Sequence, residues 1–290
     1  MMLCRCRRAV ALAAALALCA LCYWRIRLRC LLTHSPVSLD RRAQWLQSAS
    51  RGVLNALGIR LHAEGSLPAH GLIVSNHLSY LDIVVYSAAM PCFFVSKAEV
   101  NRWPFFGFAA RAGGTVFLNR MSYASANAAA DSVAARLALP IPILLFAEGT
   151  STDGAQVRRF HRRLIQPAVE AGAHITAAAI RYIPADSNEE RELCWYGDAG
   201  FLSHLWKVLG AAGFSARLCF GSSRVYADTR IAAERTHSEV SAMRERGLPS
   251  AMHTEQHGAG ITIPGTCFIN GSAKGHGFSR AEKRKKVEGF

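Results

Sequence analysis

The chain has 290 residues, of which 51% are hydrophobic, and its 34 Lys and Arg against 20 Asp and Glu give a formal net charge of +14. This apolar content excludes an intrinsically disordered chain, and the length is enough for one large α/β domain or two small ones with a buried core. The positive charge predicts an anionic partner, and composition alone leaves both nucleic acid and an anionic membrane surface open.

The nine cysteines are expected to be reduced and mostly buried. Five of them lie in the first 30 residues, and Cys19 and Cys22 form a Cys-x-x-Cys pair inside an apolar run. No second cysteine pair and no histidine pair matches that spacing, as a zinc site would require. We therefore predict no metal site.

The first predicted element is an apolar helix over residues 9–24, with arginines on both sides. As a helix, this run spans about 24 Å, slightly less than the hydrocarbon core of a bilayer. A spanning anchor and a helix that dips into one leaflet both fit, and the length also suits a signal peptide. Arginines follow the run directly, without a small-x-small cleavage site, which argues against cleavage. We expect attachment to the inner (cytoplasmic) membrane, with the bulk of the chain on the cytoplasmic side.

Residues 40–59 form a second predicted helix, in which arginines alternate with apolar side chains such as Trp45 and Leu54. One interpretation is a helix that lies at the membrane interface. The other is an ordinary surface helix whose apolar face packs on the core. We assign residues 1–57 to N-terminal membrane-associated helices.

From residue 58 onward, short runs of β-branched or aromatic residues alternate with longer Ala-rich segments. This alternation predicts an α/β fold with a mostly parallel sheet flanked by helices. The predicted strands are LIVSN, CFFVSK, GTVFLNR, IPILLFAEG, HITAAAIRY and ARLCFGSS. We expect this domain to occupy residues 58–243 and a Gly-rich, basic, poorly ordered tail to occupy residues 244–290.

Polar residues follow several of these strands at the point where each strand ends. In parallel α/β sheets, sites gather at the carboxyl ends of the strands. The polar clusters are Asn76–His77, Lys97, Asn119–Arg120 and Glu148–Gly149–Thr150.

His77 and Asp82 have the residue types of a general base and its orienting carboxylate. The carboxylate would hold one imidazole tautomer and stabilise the imidazolium. A spacing of five residues lets the two meet only across a turn or an irregular first helical turn. The competing interpretation is that Asn76 or Ser79 caps a helix and His77 has no chemical role. No G-x-S-x-G elbow is present in the sequence, so the base would act on a substrate hydroxyl or on water.

Three segments in a fixed order carry a resemblance to one family, and two further stretches support it. The segments are NHLSYLD, GTVFLNR and FAEGT, with KAEVNRWPFFG between the first two and CWYGDAGFLSHLWKVLG after the third. In this order they resemble the glycerolipid acyltransferases, above all the bacterial 1-acyl-glycerol-3-phosphate acyltransferases. The resemblance covers about residues 40–240.

The resemblance implies a membrane-bound O-acyltransferase that needs no metal and no bound cofactor, with residues 58–243 as the catalytic domain. It implies that His77 deprotonates the acceptor hydroxyl and that Asp82 orients His77. The hydroxyl would attack the thioester of acyl-CoA or acyl carrier protein. Its partners would be a lipid acceptor in the membrane, that thioester donor and an anionic membrane surface. The implied substrate-binding residues hold the phosphate of the acceptor or shape its site: Lys97, Arg120, Glu148, Gly149 and Thr150.

The sequence departs from the family pattern at three positions. Ala147 and Ala177 stand where the family tends to have Pro, and Ser151 stands where it often has Arg. A missing Arg removes a charge-assisted phosphate contact of about 1.5–3 kcal/mol. The expected acceptor is 1-acyl-glycerol-3-phosphate, which would give phosphatidate, and a lyso-ornithine lipid or another lysophospholipid is the alternative. Four arginines that follow shortly after would compensate: Arg158, Arg159, Arg162 and Arg163.

Two other classes of function stay open. One is a non-catalytic basic protein that keeps the fold and binds membranes, and the other is a hydrolase whose base activates water. The sequence has no zinc-finger spacing and no aromatic RNA-binding signature, so we expect no nucleic acid partner.

Overall fold

The structure is a computed structural model, which describes residues 2–103, 106–118, 131–186, 189–246 and 261–262. Within these ranges the α-helices are α1 (Met2–Leu32), α2 (Leu39–Leu57), α3 (Leu81–Ala89), α4 (Phe106–Gly113), α5 (Arg162–Glu170), α6 (Phe201–Gly210) and α7 (Thr229–Arg246). Residues 131–137 are also helical, and 3₁₀ turns cover Ala98–Arg102 and Glu190–Leu193. The strands are β1 (Ile59–Glu64), β2 (Leu72–Ser75), β3 (Phe93–Lys97), β4 (Val116–Leu118), β5 (Ile143–Phe146), β6 (Ile175–Pro184), β7 (Phe214–Phe220) and β8 (Ile261–Thr262).

The strands form one sheet in the order β4-β3-β5-β2-β6-β7-β1-β8. Neighbouring strands run parallel, except that β6 pairs antiparallel with β7 and β1 pairs antiparallel with β8. All four residues of β2 are buried, as expected for a parallel strand covered on both faces. The predicted α/β fold with a mostly parallel sheet flanked by helices is confirmed.

Each of the six runs predicted as strands contains one, from β2 to β7. The apolar runs do not single out β1, in which buried and more exposed residues alternate. Arg60, His62 and Glu64 lie at the more exposed positions and dilute its apolar signal. β1 is a strand because it pairs along its whole length with β7, about 150 residues later in the sequence.

Helix α2 packs on the protein core with its apolar face. Trp45, Leu46 and Leu54 are buried in the same hydrophobic cluster as residues of α3. Ser38 caps the start of α2 by accepting the backbone N–H of Arg41, and Gly58 ends it with a left-handed backbone, φ 71°. Of the two interpretations of this amphipathic segment, the structure supports the helix packed on the core.

Helix α1 is long and apolar enough to cross a membrane, and only 6% of its most apolar window is buried. Its contacts with the domain are nevertheless spread over its length. Arg8 donates a hydrogen bond to the carbonyl oxygen of Ala211, the Trp45 ring N–H donates to the carbonyl oxygen of Cys19 at 2.9 Å, and Tyr23 is buried against Trp45. One face of α1 therefore lies against the protein, and the opposite face is apolar and exposed.

The last described helix, α7, ends at Arg246. Beyond it, Ile261–Thr262 pair with β1, and the rest of the predicted tail lies outside the described residues. The division into residues 1–57, 58–243 and 244–290 stays a prediction.

Candidate active site

The candidate site lies where three central strands run side by side. Ser75, the last residue of β2, pairs with Phe146 of β5 on one side and with Ala178 of β6 on the other. Because these strands are parallel, the segments that follow them lie at the same edge of the sheet. The loop 76–80 therefore meets the segment after Phe146 and the second half of β6.

His77 and Asp82 form a hydrogen bond of 2.7 Å between Nδ1 of the ring and Oδ2 of the carboxylate. The same Oδ2 accepts the backbone N–H groups of Leu78 at 2.7 Å and Ser79 at 3.1 Å. The loop is thus wrapped around a carboxylate whose side chain is fully buried. The pair meets across the turn that precedes α3, as its spacing predicts.

The other polar residues of the loop have separate roles. The side-chain amide of Asn76 bonds to the backbone of Ile180 twice, donating to its carbonyl oxygen at 3.2 Å and accepting its N–H at 2.9 Å. Asn76 therefore ties the loop to β6 and does not cap α3. Ser79 Oγ accepts the N–H of Leu81 at 3.3 Å and so supports the first turn of the helix.

Tyr182 is a further partner of Asp82 that sequence reasoning missed. Its hydroxyl donates a hydrogen bond to Asp82 Oδ1, so both carboxylate oxygens are engaged. Burial, and then the negative charge of Asp82, hold the pKa of Tyr182 well above its ordinary value. The phenol therefore stays protonated and remains a donor. Tyr182 lies 100 residues after Asp82 in the sequence, and no local pattern links the two.

The His77 ring lies flat against Phe146, with ring centroids 4.0 Å apart and planes 12° from parallel. Its side chain keeps 19% of its surface exposed, whereas the Asp82 carboxylate has none. A carboxylate only accepts, so Nδ1 carries the proton of the His77–Asp82 bond and Nε2 keeps a lone pair. The ring is thus oriented from two sides and can take a proton at Nε2.

Glu148 holds the backbone of His77. Its Oε1 accepts the N–H of His77 at 2.7 Å and its Oε2 accepts the N–H of Arg158 at 2.8 Å. Burial raises the pKa of Glu148 above the ordinary glutamate value, and these backbone hydrogen bonds oppose the rise. Glu148 is only 3% exposed, and each of its carboxylate oxygens accepts a backbone N–H.

The segment after Glu148 folds back onto the same loop. Gly149 has φ 71°, a left-handed conformation that favours glycine, and its N–H donates to the carbonyl oxygen of Phe146 at 3.1 Å. Thr152 then donates twice to the carbonyl oxygen of His77, from its N–H at 2.9 Å and from its hydroxyl at 3.3 Å. Both polar groups of the His77 backbone are therefore held by this segment.

Comparisons with known proteins decide the family. A family model described as Acyltransferase matches residues 58–181. The 1-acyl-sn-glycerol-3-phosphate acyltransferase of Neisseria meningitidis is 31% identical over 210 residues, which are 70% of this chain and 81% of that protein. The chain belongs to the glycerolipid acyltransferase family. The resemblance of its three ordered motifs is thereby confirmed, and the protein is an acyltransferase.

The acyltransferase is also similar to a second relative and to a solved structure. The lyso-ornithine lipid O-acyltransferase of Pseudomonas aeruginosa is 36% identical over 155 residues, 53% of this chain and 59% of that protein. The crystal structure of the 1-acyl-sn-glycerophosphate acyltransferase PlsC from Thermotoga maritima has a TM-score of 0.62 at 16% identity. It covers 86% of this chain and 100% of that one, and at this identity it supports the fold alone.

Two of the predicted substrate-binding residues, Lys97 and Thr150, lie elsewhere along the same edge of the sheet. Lys97 is exposed at the end of β3, which is separated from β2 by β5, and Thr150 is exposed after β5. Arg120 lies outside the described residues. The arginines named as compensating for Ser151 are all exposed: Arg158, Arg159, Arg162 and Arg163. The structure thus brings His77, Asp82 and Glu148 together, and the predicted cationic residues that it describes lie at the surface.

An aromatic cluster flanks the loop on its other side. Tyr80 has ring centroids 5.1 Å from Phe201, 5.5 Å from Phe106 and 5.7 Å from Trp195. The backbone N–H of Trp195 donates to the carbonyl oxygen of Leu78 at 2.8 Å, so the segment CWYGDAGFLSHLWKVLG contacts the loop directly. Burial lowers the pKa of His204, which lies within hydrogen-bond distance of the Tyr80 hydroxyl.

In the part of the chain that the structure describes, no group of His, Cys, Asp and Glu is placed to hold a metal ion. His77 Nδ1 and the Asp82 oxygens are already occupied by protein partners. The expectation that neither a metal nor a bound cofactor takes part stays a prediction.

Proposed function

We propose that this acyltransferase moves a fatty acyl group from acyl-CoA or acyl carrier protein to the free hydroxyl of 1-acyl-glycerol-3-phosphate, giving phosphatidate. The observation that carries the proposal is the 2.7 Å bond between His77 and the buried Asp82. A partly exposed imidazole, oriented by a carboxylate, is suited to remove a proton from a hydroxyl. The names of the relatives support a lysolipid as the class of acceptor.

In the proposed reaction, Nε2 of His77 takes the proton of the acceptor hydroxyl while Asp82 stabilises the imidazolium. The acceptor oxygen attacks the thioester carbonyl, and an ester C–O bond forms. The C–S bond then breaks, and the thiolate leaves with the proton that His77 returns. This scheme needs no covalent acyl-enzyme intermediate, because the acceptor oxygen itself is the nucleophile.

Substrate binding is divided among the residues that the resemblance implied. Lys97 and Arg120 are proposed to hold the phosphate of the acceptor, and the exposed end of Lys97 suits a mobile charged group. Thr150 and Gly149 would shape the acceptor site. Glu148 would act through the backbone of His77 rather than by contact with the acceptor.

The membrane arrangement follows from α1. One face of α1 lies against the domain, and its exposed apolar residues, such as Leu21, Trp24 and Leu28, lie on the other side. This arrangement favours a helix that lies in one leaflet over one that leaves the domain to span the bilayer. We propose that the protein is attached to the inner (cytoplasmic) membrane, with the catalytic domain on the cytoplasmic side and basic residues near anionic lipid.

A second acceptor has support of its own. Ser151 occupies the position at which the family often has Arg, and it is half-buried next to the exposed Thr150. A serine offers no charge to a phosphate. The absence of Arg at this position would therefore weaken the binding of a lyso-ornithine lipid less than that of 1-acyl-glycerol-3-phosphate. The relative from Pseudomonas aeruginosa carries the name of that activity.

The test is an acyl-transfer assay with the full-length protein in lipid vesicles. Labelled acyl-CoA or acyl-carrier-protein thioester is supplied with 1-acyl-glycerol-3-phosphate, lyso-ornithine lipid or another lysophospholipid, and free fatty acid is measured in parallel. Preference for 1-acyl-glycerol-3-phosphate supports the main proposal, and preference for the lyso-ornithine lipid supports the second. Release of free fatty acid without transfer would indicate a hydrolase. No reaction with any pair of substrates would contradict catalysis.

A further inference from the structure

Arg244, in the last turn of α7, is an arginine with unusual burial and many partners. It is only 8% exposed. Its Nη1 and Nη2 donate to the two carboxylate oxygens of Glu190 at 2.9 and 3.0 Å. Nη1 also donates to the carbonyl oxygen of Ile180 at 3.0 Å, and Nη2 donates to the carbonyl oxygen of Gly154. One guanidinium thus joins α7, β6, the 3₁₀ turn Glu190–Leu193 and the segment after Glu148.

The backbone carbonyls that accept from Arg244 lie in β6 and in the segment after Glu148, and both of these are also bonded to the loop that carries His77. Ile180, whose carbonyl accepts from Arg244, is the residue to which Asn76 is bonded twice. Gly154 lies two residues after Thr152, which donates twice to the carbonyl oxygen of His77.

Glu190 extends the same connection to Asp82. Its Oε1 accepts the backbone N–H of Tyr182 at 2.7 Å, and the hydroxyl of Tyr182 donates to Asp82. Arg181, between Ile180 and Tyr182, donates to the carbonyl oxygen of Arg244 at 2.8 Å. Three connections to the His77–Asp82 pair, through Asn76, Thr152 and Tyr182, therefore converge on one ion pair between buried Arg244 and partly buried Glu190.

We propose that Arg244 and Glu190 are positioning residues that set the geometry of the His77–Asp82 pair, an inference that rests on the proposed function of that pair. A buried ion pair is a weak source of stability, because apolar residues of similar size often replace it without loss. The planar guanidinium of Arg244 instead fixes the positions of the groups that it contacts, since its N–H groups donate to four oxygens at once. In this role both residues act through the backbone of β6 and the segment around Gly154, which their side chains contact directly.

The test compares the Arg244→Met/Glu190→Met double variant with a matched control on the same helix. Removing both charges leaves no unpaired charge within the pair itself, but Arg181, whose Nε lies 3.8 Å from Glu190 Oε2, loses that carboxylate and keeps the carbonyl oxygen of residue 244. We therefore expect the double variant to fold and to unfold several degrees below the wild type. Its kcat is expected to fall about 10- to 100-fold with little change in KM, because the base and the acceptor are misaligned. The exposed pair Arg230 and Glu234, also in α7, is the control, and Arg230→Met/Glu234→Met should keep the wild-type kcat.

A conservative variant separates charge from geometry. Arg244→Lys keeps the positive charge beside Glu190 but has no fork, so we expect its kcat to lie between those of the wild type and the double variant. A double variant that folds and keeps the wild-type kcat would overturn the proposal and leave the pair a purely structural contact.

A spectroscopic measurement tests the positioning without any substrate. The His77 Nδ1 proton bonded to Asp82 should give a low-field proton NMR signal that His77→Ala removes. We expect the double variant at residues 190 and 244 to lose or shift this signal and the control at residues 230 and 234 to keep it. An unchanged signal in the double variant would overturn the proposal. If the wild type gave the signal but transferred no acyl group, the proposed function would fail separately.

Discussion

The two parts of the strand edge that form the site differ in how their side chains are held. Around His77, the side chains of Asn76, Asp82 and Glu148 are buried and bonded to protein atoms. Towards β3, Lys97 and Thr150 are exposed. Acid–base chemistry requires one fixed geometry, whereas long exposed side chains can adapt to different head groups. Under the proposed function, the buried part would determine the reaction and the exposed part would determine the acceptor.

Among the groups that hold His77, the largest expected effect is at Asp82. Asp82→Asn replaces a carboxylate that accepts from His77, Leu78, Ser79 and Tyr182 by an amide with a single acceptor oxygen. We expect kcat to fall on the order of 10³- to 10⁴-fold, because the imidazole loses both its tautomer and its charge partner. Steady-state acyl transfer measures this, with the exposed Asp40→Asn as the control. A loss below tenfold would place the orienting role elsewhere.

A smaller loss is expected at Tyr182. Tyr182→Phe keeps the buried ring and removes the hydroxyl that donates to Asp82. A hydrogen bond to a charged group is worth about 1.5–3 kcal/mol, so we expect kcat to fall about 10- to 100-fold. KM should stay nearly constant, because Tyr182 is fully buried and does not reach the acceptor. Tyr226→Phe, at a partly buried tyrosine that packs against the other core cluster, is the control, and a rise of KM at constant kcat would contradict the account.

On the exposed part the effects should be weaker and should act on binding. We expect Lys97→Ala to raise KM for 1-acyl-glycerol-3-phosphate about 3- to 10-fold and to change kcat little, because exposed charge pairs contribute about 1 kcal/mol. The increase in KM should shrink as salt is added, since salt screens exposed charges. Arg235→Ala, exposed on α7, is the control. A large drop in kcat would mean that Lys97 takes part in the chemistry.

The smallest expected effect concerns stability and pH. Burial raises the pKa of Glu148, so folding favours its protonated form. Its contribution to stability is therefore present below the ordinary glutamate pKa and is lost as pH rises through the raised pKa. Glu148→Gln removes this titration, so the wild-type Tm minus the variant Tm should fall as pH rises through and above the ordinary glutamate pKa. Thermal unfolding in detergent measures the difference, and an increase with pH would contradict the assignment.

The sequence predicted the local part of the site and missed its distant partners. His77 and Asp82 are five residues apart, and their meeting follows from strand–turn–helix geometry. Tyr182 reaches Asp82 from 100 residues away, and Glu190 and Arg244 connect to the loop only through β6 and the segment around Gly154. Nothing in a local pattern separates a tyrosine that orients a carboxylate from one that fills the core.

The same limit applies to the fold. The runs of β2 to β7 are apolar enough to be recognised alone, whereas β1 depends on its pairing with β7. For α2, amphipathicity predicted a helix but not whether its apolar face meets lipid or protein. Trp45 and Leu46 are buried because α1 and α3 pack against them, and tertiary contacts decide that question.

The central claim is that His77, held by Asp82, removes the proton of the acceptor hydroxyl. Acyl transfer to 1-acyl-glycerol-3-phosphate and to lyso-ornithine lipid by full-length wild type and His77→Ala in lipid vesicles tests it most directly. The account predicts transfer by the wild type and, in His77→Ala, a rate lower by about 10³- to 10⁴-fold, at least the loss expected for Asp82→Asn, with membrane binding unchanged. A His77→Ala variant that transfers acyl groups at the wild-type rate would contradict it.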